Sequence, residues 1–176
     1  SAAATFSAAI ISDVERLAGN LNSAEATLRW LCNELTEMNA YSHLASRAGD
    51  LADVLYLLER LDESYEWTTV AETHSATDDV DALIRWMPVR AKLEAREGAL
   101  KSALALVEDA VELAGGTDAL NCHAKVRLGY GNVLLIAGRE DDARSAFGVA
   151  LELYEQKGNV VAASHARSLL DDLALV

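Results

Sequence analysis

The chain has 176 residues, of which 51% are hydrophobic and 24% charged, so it is long enough to build one sizeable core. Its formal charge of −13 argues against a nucleic-acid-binding protein, because phosphate contacts need clustered Lys and Arg and the sequence has no basic run. A single Pro and 6% aromatic residues, beside many Ala, Leu and Glu, favour helix over sheet, and we predict an all-α fold.

Helical patterns follow one another along the chain in pairs, each made of an A helix, a turn and a B helix. In chain order we predict helices over residues 3–18, 23–38, 41–58, 62–73, 79–97, 100–114, 118–137, 140–157 and 160–175. Four such pairs therefore precede a ninth helix, which we expect to cap the last B helix.

Particular residues mark the ends and the middle of these helices. Thr117 or Asp118 is expected to cap the helix that begins at residue 118, and Asn159 to cap the last one. Pro88 falls inside the fifth helix, where it cannot donate to the carbonyl of Ile84, and it is expected to kink that helix.

The turns recur with a regular spacing. Gly19, Glu59, Gly98 and Gly138 stand 40, 39 and 40 residues apart, and small residues lie seven before and five after each. These small residues are Ser12, Ala24, Ala52, Ser64, Ala91, Ala103, Gly131 and Ala143. Antiparallel helices approach closely only where both carry small side chains, so we predict the helix crossings at these positions. Glu59 replaces the expected Gly, which predicts a turn of different construction.

Stacked helix pairs bury their apolar faces against their neighbours, and no linker rich in Gly, Pro or Ser interrupts the array. We therefore predict a single domain over residues 1–176. Because the chain begins without Met, we expect it to be a fragment of a larger multidomain protein. The apolar opening SAAATFSAAII lacks a basic leader and is too short to span a bilayer, so we predict neither a signal peptide nor a membrane contact.

These repeats resemble the tetratricopeptide (TPR) family. In particular, DDVDALIRWMPVRAKLEAREGALKSALALVEDAVELAGGTDAL and GYGNVLLIAGREDDARSAFGVALELYEQKGNVVAASHARSLLDDL are similar to the C-terminal helical region of large, mostly actinobacterial signalling proteins. Those proteins place a class III adenylate or guanylate cyclase and a P-loop ATPase before such repeats. The resemblance implies a right-handed superhelix of antiparallel helix pairs with a concave groove lined by the A helices.

The groove offsets of the family, carried onto this chain, give candidate residues for peptide binding. The polar and aromatic candidates are Arg85, Lys92, Lys125, Asn132, Asp53 and Tyr56. Basic groups gather in the later pairs, so we predict that Arg85, Lys92, Lys125 and Asn132 form a site for an acidic or carboxylate-bearing peptide, held by charge-assisted hydrogen bonds. An ordinary solvated face is the alternative.

The sequence holds few candidates for catalytic chemistry. Gly129 and Gly131 begin a GxGxxG pattern, but Leu134 stands at its third glycine, and no P-loop motif occurs. Cys122 and His123 are helix neighbours that point about 100° apart, which disfavours a catalytic pair. Cys32 is remote in sequence from Cys122 and no CxxC occurs, so we predict no structural zinc and a reducing cytoplasmic location. We predict no catalytic residue, cofactor or metal.

Three tryptophans, Trp30, Trp67 and Trp86, could stack on a ligand, although aromatic residues on helices usually belong to the core. We predict a non-catalytic module that binds a protein or peptide, or other domains of its own chain, in a signalling protein. The alternatives are a sensor that binds a small molecule or peptide in the groove, and a homodimerisation module that uses the last helix.

Overall fold

The structure is a computed structural model, and it describes residues 2–174. This part of the chain contains nine α-helices and no strand, which confirms the all-α prediction. The helices are α1 (Ala2–Leu17), α2 (Leu21–Glu37), α3 (Tyr41–Leu57), α4 (Leu61–His74), α5 (Val80–Arg96), α6 (Leu100–Gly115), α7 (Leu120–Ile136), α8 (Glu140–Lys157) and α9 (Val160–Ala174). The predicted bounds agree to within two residues; the predicted end of the ninth helix, residue 175, lies outside the described residues.

The turns between paired helices share one hydrogen-bonding pattern. Gly138 has φ 73°, its amide donates to Leu135 O at 3.0 Å, and the amide of Arg139 donates to Leu134 O at 2.9 Å. This is a Schellman motif, in which a left-handed residue lets the chain satisfy the last helix carbonyls. Gly138 therefore ends α7 and forms the turn that leads to α8.

The same motif ends α3, although Glu59 occupies the left-handed position. Glu59 has φ 57°, its amide donates to Tyr56 O at 3.0 Å, and the amide of Arg60 donates to Leu55 O at 3.0 Å. The prediction of a different turn at this point was wrong. The reason is that backbone bonds and tight helix packing fix the motif, and a non-glycine residue tolerates the conformation at a modest cost.

The two predicted helix caps differ in outcome: the cap of α9 is confirmed and the cap of α7 is not. Asn159 caps α9 as predicted, since its Oδ1 accepts from the amide of Ala162 at 3.2 Å. The predicted cap of α7 was wrong: its N-cap is Ala119, which makes no side-chain cap bond, while Thr117 Oγ1 accepts the amide of Ala119 at 3.4 Å. The carbonyl of Asp118 accepts the amide of Leu120 at 3.0 Å, and α7 begins at Leu120, two residues later than predicted.

Two compact units make up the chain, Ser1–Val89 and Arg90–Val176. In the first, α1, α2 and α3 share one core, formed by Ala8, Leu28, Leu31, Leu35, Leu44, Leu51, Val54 and Leu55 with a few smaller contributions. α4 packs on α3, and Ser64 Oγ donates to Ala52 O at 2.7 Å where the two helices cross. α5 runs unbroken through Pro88, and its predicted kink stays a prediction.

In the second unit, one cluster joins the end of α5 to α6 and α7 through Ala91, Ala103, Val107 and Val133. Another joins α7 to α8 around the fully buried Phe147, and α9 closes over it with Leu169, Leu170 and Leu173. α9 therefore packs on α8, as expected of a capping helix.

Between residues 2 and 174, no helix combines the length and apolarity needed to cross a membrane.

Candidate peptide-binding face

Arg85 is held by carboxylates of its own unit. Its Nη1 donates to both oxygens of Asp50, at 3.0 and 3.1 Å, and its Nε and Nη2 donate to Asp81 at 3.0 and 2.9 Å. Only 18% of the Arg85 side chain and 5% of the Asp50 side chain are exposed. The guanidinium therefore meets two carboxylates in a bidentate arrangement, the geometry for which arginine is suited.

Two further residues complete this arrangement, which we call the α3–α5 ion network. Arg47 Nη1 lies 2.9 Å from Asp50 Oδ2, and Ser46 Oγ donates to Asp81 Oδ2 at 2.8 Å. Burial raises the pKa of Asp81, but the hydrogen bond and charge of Arg85 outweigh it, and the pKa falls below its ordinary value. Asp81 is thus built to stay ionised beside Arg85.

α3 and α5 approach closely at this network because residue 49 is glycine. A Cβ placed on Gly49 would lie 3.0 Å from Arg85 Cβ and 3.1 Å from the Trp86 backbone nitrogen. Ordinary carbon contacts are longer, so a larger residue would push α5 away and lengthen the Arg85–Asp50 hydrogen bonds.

The other candidates in the first unit, Asp53 and Tyr56, both lie on α3. Asp53 is 5% exposed, three residues after Asp50, whereas Tyr56 is half-buried. Asp53 therefore belongs to the packed interior of this face, and Tyr56 is the candidate here that offers more surface to a ligand.

In the second unit, Lys92 is 6% exposed, while Lys125 and Asn132 are half-buried on α7. Residues seven apart return to the same side of a helix after two turns, so these two side chains share one face about 10 Å apart along the axis. Lys125 and Asn132 thus form an amine and amide pair on one helix face.

The sequence alone did not identify Arg47 and Asp81 as part of the site. Both stand at helical pair spacings, Arg47 three residues before Asp50 and Asp81 four residues before Arg85, which is a signal for ion pairing on one helix face. What the spacing could not show is that the two pairs meet across α3 and α5.

The predicted helix-crossing positions are buried throughout. The buried residues are Ser12, Ala24, Ala52, Ser64, Ala91, Ala103, Gly131 and Ala143. A Cβ placed on Gly131 would overlap the ring of Phe147, closer than any packed carbon pair. The ring of Phe147 therefore occupies the space that a side chain at residue 131 would need.

Other potentially reactive groups are dispersed. Cys32 is buried, and burial followed by the charge of Asp50 raises the pKa of its thiol from 9.0 to about 12, so it is a poor nucleophile. Burial and the charge of Arg127 lower the pKa of His123. Among residues 2–174, no group of three or more His, Cys, Asp or Glu side chains is arranged to hold a metal ion.

The three tryptophans differ in surroundings. Trp86 is 6% exposed and belongs to the core, and Trp67 packs against the core of the first unit with the Arg29 guanidinium 6.0 Å from its ring centroid. Trp30 is 44% exposed, so the expectation of a core tryptophan was wrong there.

Comparison with known proteins found no family model that matches the chain and no curated protein similar to it.

Proposed function

We propose that the chain is a non-catalytic protein-binding or regulatory module of TPR-like helix pairs. The observation that carries the proposal is the repeated hairpin: a Schellman turn at each of the four spaced positions, with buried small residues seven before and five after it. Such hairpins bury their apolar faces against neighbours and leave long helix faces for a partner, which is how helical repeats bind peptides.

The proposed ligand is a peptide with an acidic side chain or a free C-terminal carboxylate, bound on α7 at Lys125 and Asn132. Each of these groups can donate a charge-assisted hydrogen bond to a carboxylate, and their spacing of about 10 Å suits two acceptors of one peptide. Arg85 contributes less than its sequence position suggested, because Asp50 and Asp81 already accept its hydrogen bonds. Lys92 is so buried that reversing its charge would disturb the fold.

The test measures binding of a fluorescent Glu-rich peptide with a free C-terminus at about 20 mM salt, where surface charges act over a longer range. Lys125→Glu should weaken binding by about tenfold or more, because a hydrogen bond to a charged group is lost and repulsion is added. Lys101→Glu, on the exposed side of α6, makes the same charge change and should alter affinity less than about twofold.

Equal losses of affinity in both variants would mean that the peptide responds only to total charge, and no measurable binding would remove the proposed ligand.

A thermal-shift screen with nucleotides and metabolites separates the module from a small-molecule sensor: a concentration-dependent rise in unfolding temperature would favour the sensor.

We further propose that the module regulates a larger bacterial signalling protein of the kind that joins a class III nucleotide cyclase to a P-loop ATPase. The support is the sequence resemblance of residues 78–120 and 129–173 to the repeats of such proteins. Cyclase or P-loop motifs elsewhere in the gene that encodes this chain would support it, and a complete reading frame without them would contradict it.

Homodimerisation through α9 has less support. Val160 and Val161 are exposed, but Leu169, Leu170 and Leu173 pack against the core formed by α7 and α8. Most of the apolar surface of α9 is therefore used within its own chain.

A further inference from the structure

One face of α1 is apolar and exposed. Phe6, Ile10, Ile11 and Val14 are 70%, 51%, 50% and 60% exposed. At 100° per residue they lie within about 140° of one another, on the side opposite the buried Ser12. We call these four residues the α1 outer face. A contiguous exposed apolar stripe of this kind is typical of a contact surface.

Two of these positions have equivalents in the second repeat that are buried. Ile11 and Val14 stand eight and five residues before Gly19, and the residues at the same distances before Glu59 are Leu51 and Val54. Both Leu51 and Val54 are completely buried. Positions that are solvent-exposed in the first repeat therefore belong to the core in the second.

The residues that cover them come from the preceding helix. Leu51 and Val54 of α3 share their core with Leu28, Leu31 and Leu35 of α2. These leucines are spaced i, i+3 and i+7, which places them on a single stripe of α2.

α6 and α7 repeat the arrangement in the second unit. Val133, five residues before Gly138, packs with Val107 of α6, and Tyr130, eight before it, donates from its hydroxyl to Glu108 Oε1 at 3.4 Å. In each unit the apolar face of an A helix is covered by an amphipathic helix that precedes it in the chain.

We infer that the α1 outer face is a docking surface for an amphipathic helix that carries large aliphatic residues at i, i+3 and i+7. This surface is separate from the proposed peptide site on α7. A second copy of the chain is a weaker candidate, because four side chains of one helix offer only a few hundred Å², well below the roughly 800 Å² per partner of a stable interface. Docking of a separate helical peptide is correspondingly weak.

The test uses the full chain with ¹³C-labelled isoleucine methyl groups and a synthetic peptide that copies residues 20–39, the α2 segment. The chain has four isoleucines: Ile10 and Ile11 lie on the α1 outer face, whereas Ile84 is buried and Ile136 lies on α7. Peptide addition should shift the methyl signals of Ile10 and Ile11 in a saturable way and leave those of Ile84 and Ile136 in place.

Two matched controls accompany the titration. A peptide with Leu28, Leu31 and Leu35 replaced by Gln should cause no shift, because it lacks the aliphatic stripe. Val14→Gln in the chain should weaken binding of the leucine peptide by about fivefold, because one apolar contact is lost. Lys125→Glu should not change it, so this inference and the peptide site on α7 can fail independently.

Equal shifts with both peptides, shifts centred on Ile136, or no shift at millimolar leucine peptide would overturn the inference. Light scattering adds a further outcome: a doubled mass that Val14→Gln removes would assign the α1 outer face to a second copy and overturn the helix as its occupant.

Discussion

The absence of a side chain at Gly131 allows α7 and α8 to pack around the ring of Phe147. That ring is fully buried, so it has no solvent-filled space into which it could retreat from an added methyl group. The small residue was predictable from its place seven residues before the turn. Its contact with Phe147 was not, because the fold decides which side chain fills the space that a glycine leaves.

Gly131→Ala should therefore lower the free energy of unfolding by about 1–3 kcal/mol through overpacking. Gly148→Ala is the matched control, since Gly148 lies inside α8 and a Cβ there meets nothing within 4 Å. That change should stabilise the chain by about 0.5–1 kcal/mol, because alanine favours the helix. Urea unfolding measures both, and a stabilising Gly131→Ala would contradict the described packing.

The thiol of Cys32 should make the chain sensitive to alkali. Its pKa is raised from 9.0 to about 12 in the folded chain, so above pH 9 the unfolded chain loses a proton that the folded chain retains. The contribution of this thiol to the free energy of unfolding is fully present below pH 9. It falls as pH rises towards 12, and the loss reaches about 2 kcal/mol at pH 10.5.

Unfolding free energies measured at pH 8 and pH 10.5 for the native chain and for Cys32→Ala separate this effect from the titration of other groups. The variant loses some packing at both pH values, but its decline with pH should be smaller by the stated amount. Parallel declines would show that Cys32 does not control the alkaline response.

At the scale of the helical hairpin, the bounds of the helices could be predicted because apolar periodicity and turn residues agree along the chain. The construction of the Glu59 turn could not, since its side chain gives no sign of a left-handed backbone. The cap of α7 was missed for a related reason: Thr117 and Asp118 have capping side chains, but the helix begins after them.

The left-handed positions predict a common response to substitution. Glycine adopts a positive φ more easily than alanine, so glycine should be more stable than alanine by about 1 kcal/mol at residue 59 and at residue 138. The comparison is between Glu59→Gly and Glu59→Ala, and between the native chain and Gly138→Ala. Thermal unfolding measures it, and equal stability of the two residue-59 variants would mean that Glu59 is not held at its φ of 57°.

At the scale of the whole molecule, the all-α class follows from composition and periodicity. The right-handed superhelix and the single domain stay predictions, because both concern how successive helix pairs are arranged and no local pattern measures that. In the candidate face, the basic residues could be selected from repeat offsets. The hydrogen bonds of Arg85 to Asp50 and Asp81 could not be predicted in this way, because they depend on two helices meeting in space.

Most connections between the helices are too short to accept added residues easily. Three residues join α1 to α2, α2 to α3, α3 to α4, α5 to α6 and α7 to α8, and two join α8 to α9. Each of these connections carries the two backbone hydrogen bonds of a Schellman turn, and an inserted residue would have to break them. Room for added sequence exists at residues 75–79 and 116–119, where the connections are longer, so epitope tags or domain insertions belong at those two places.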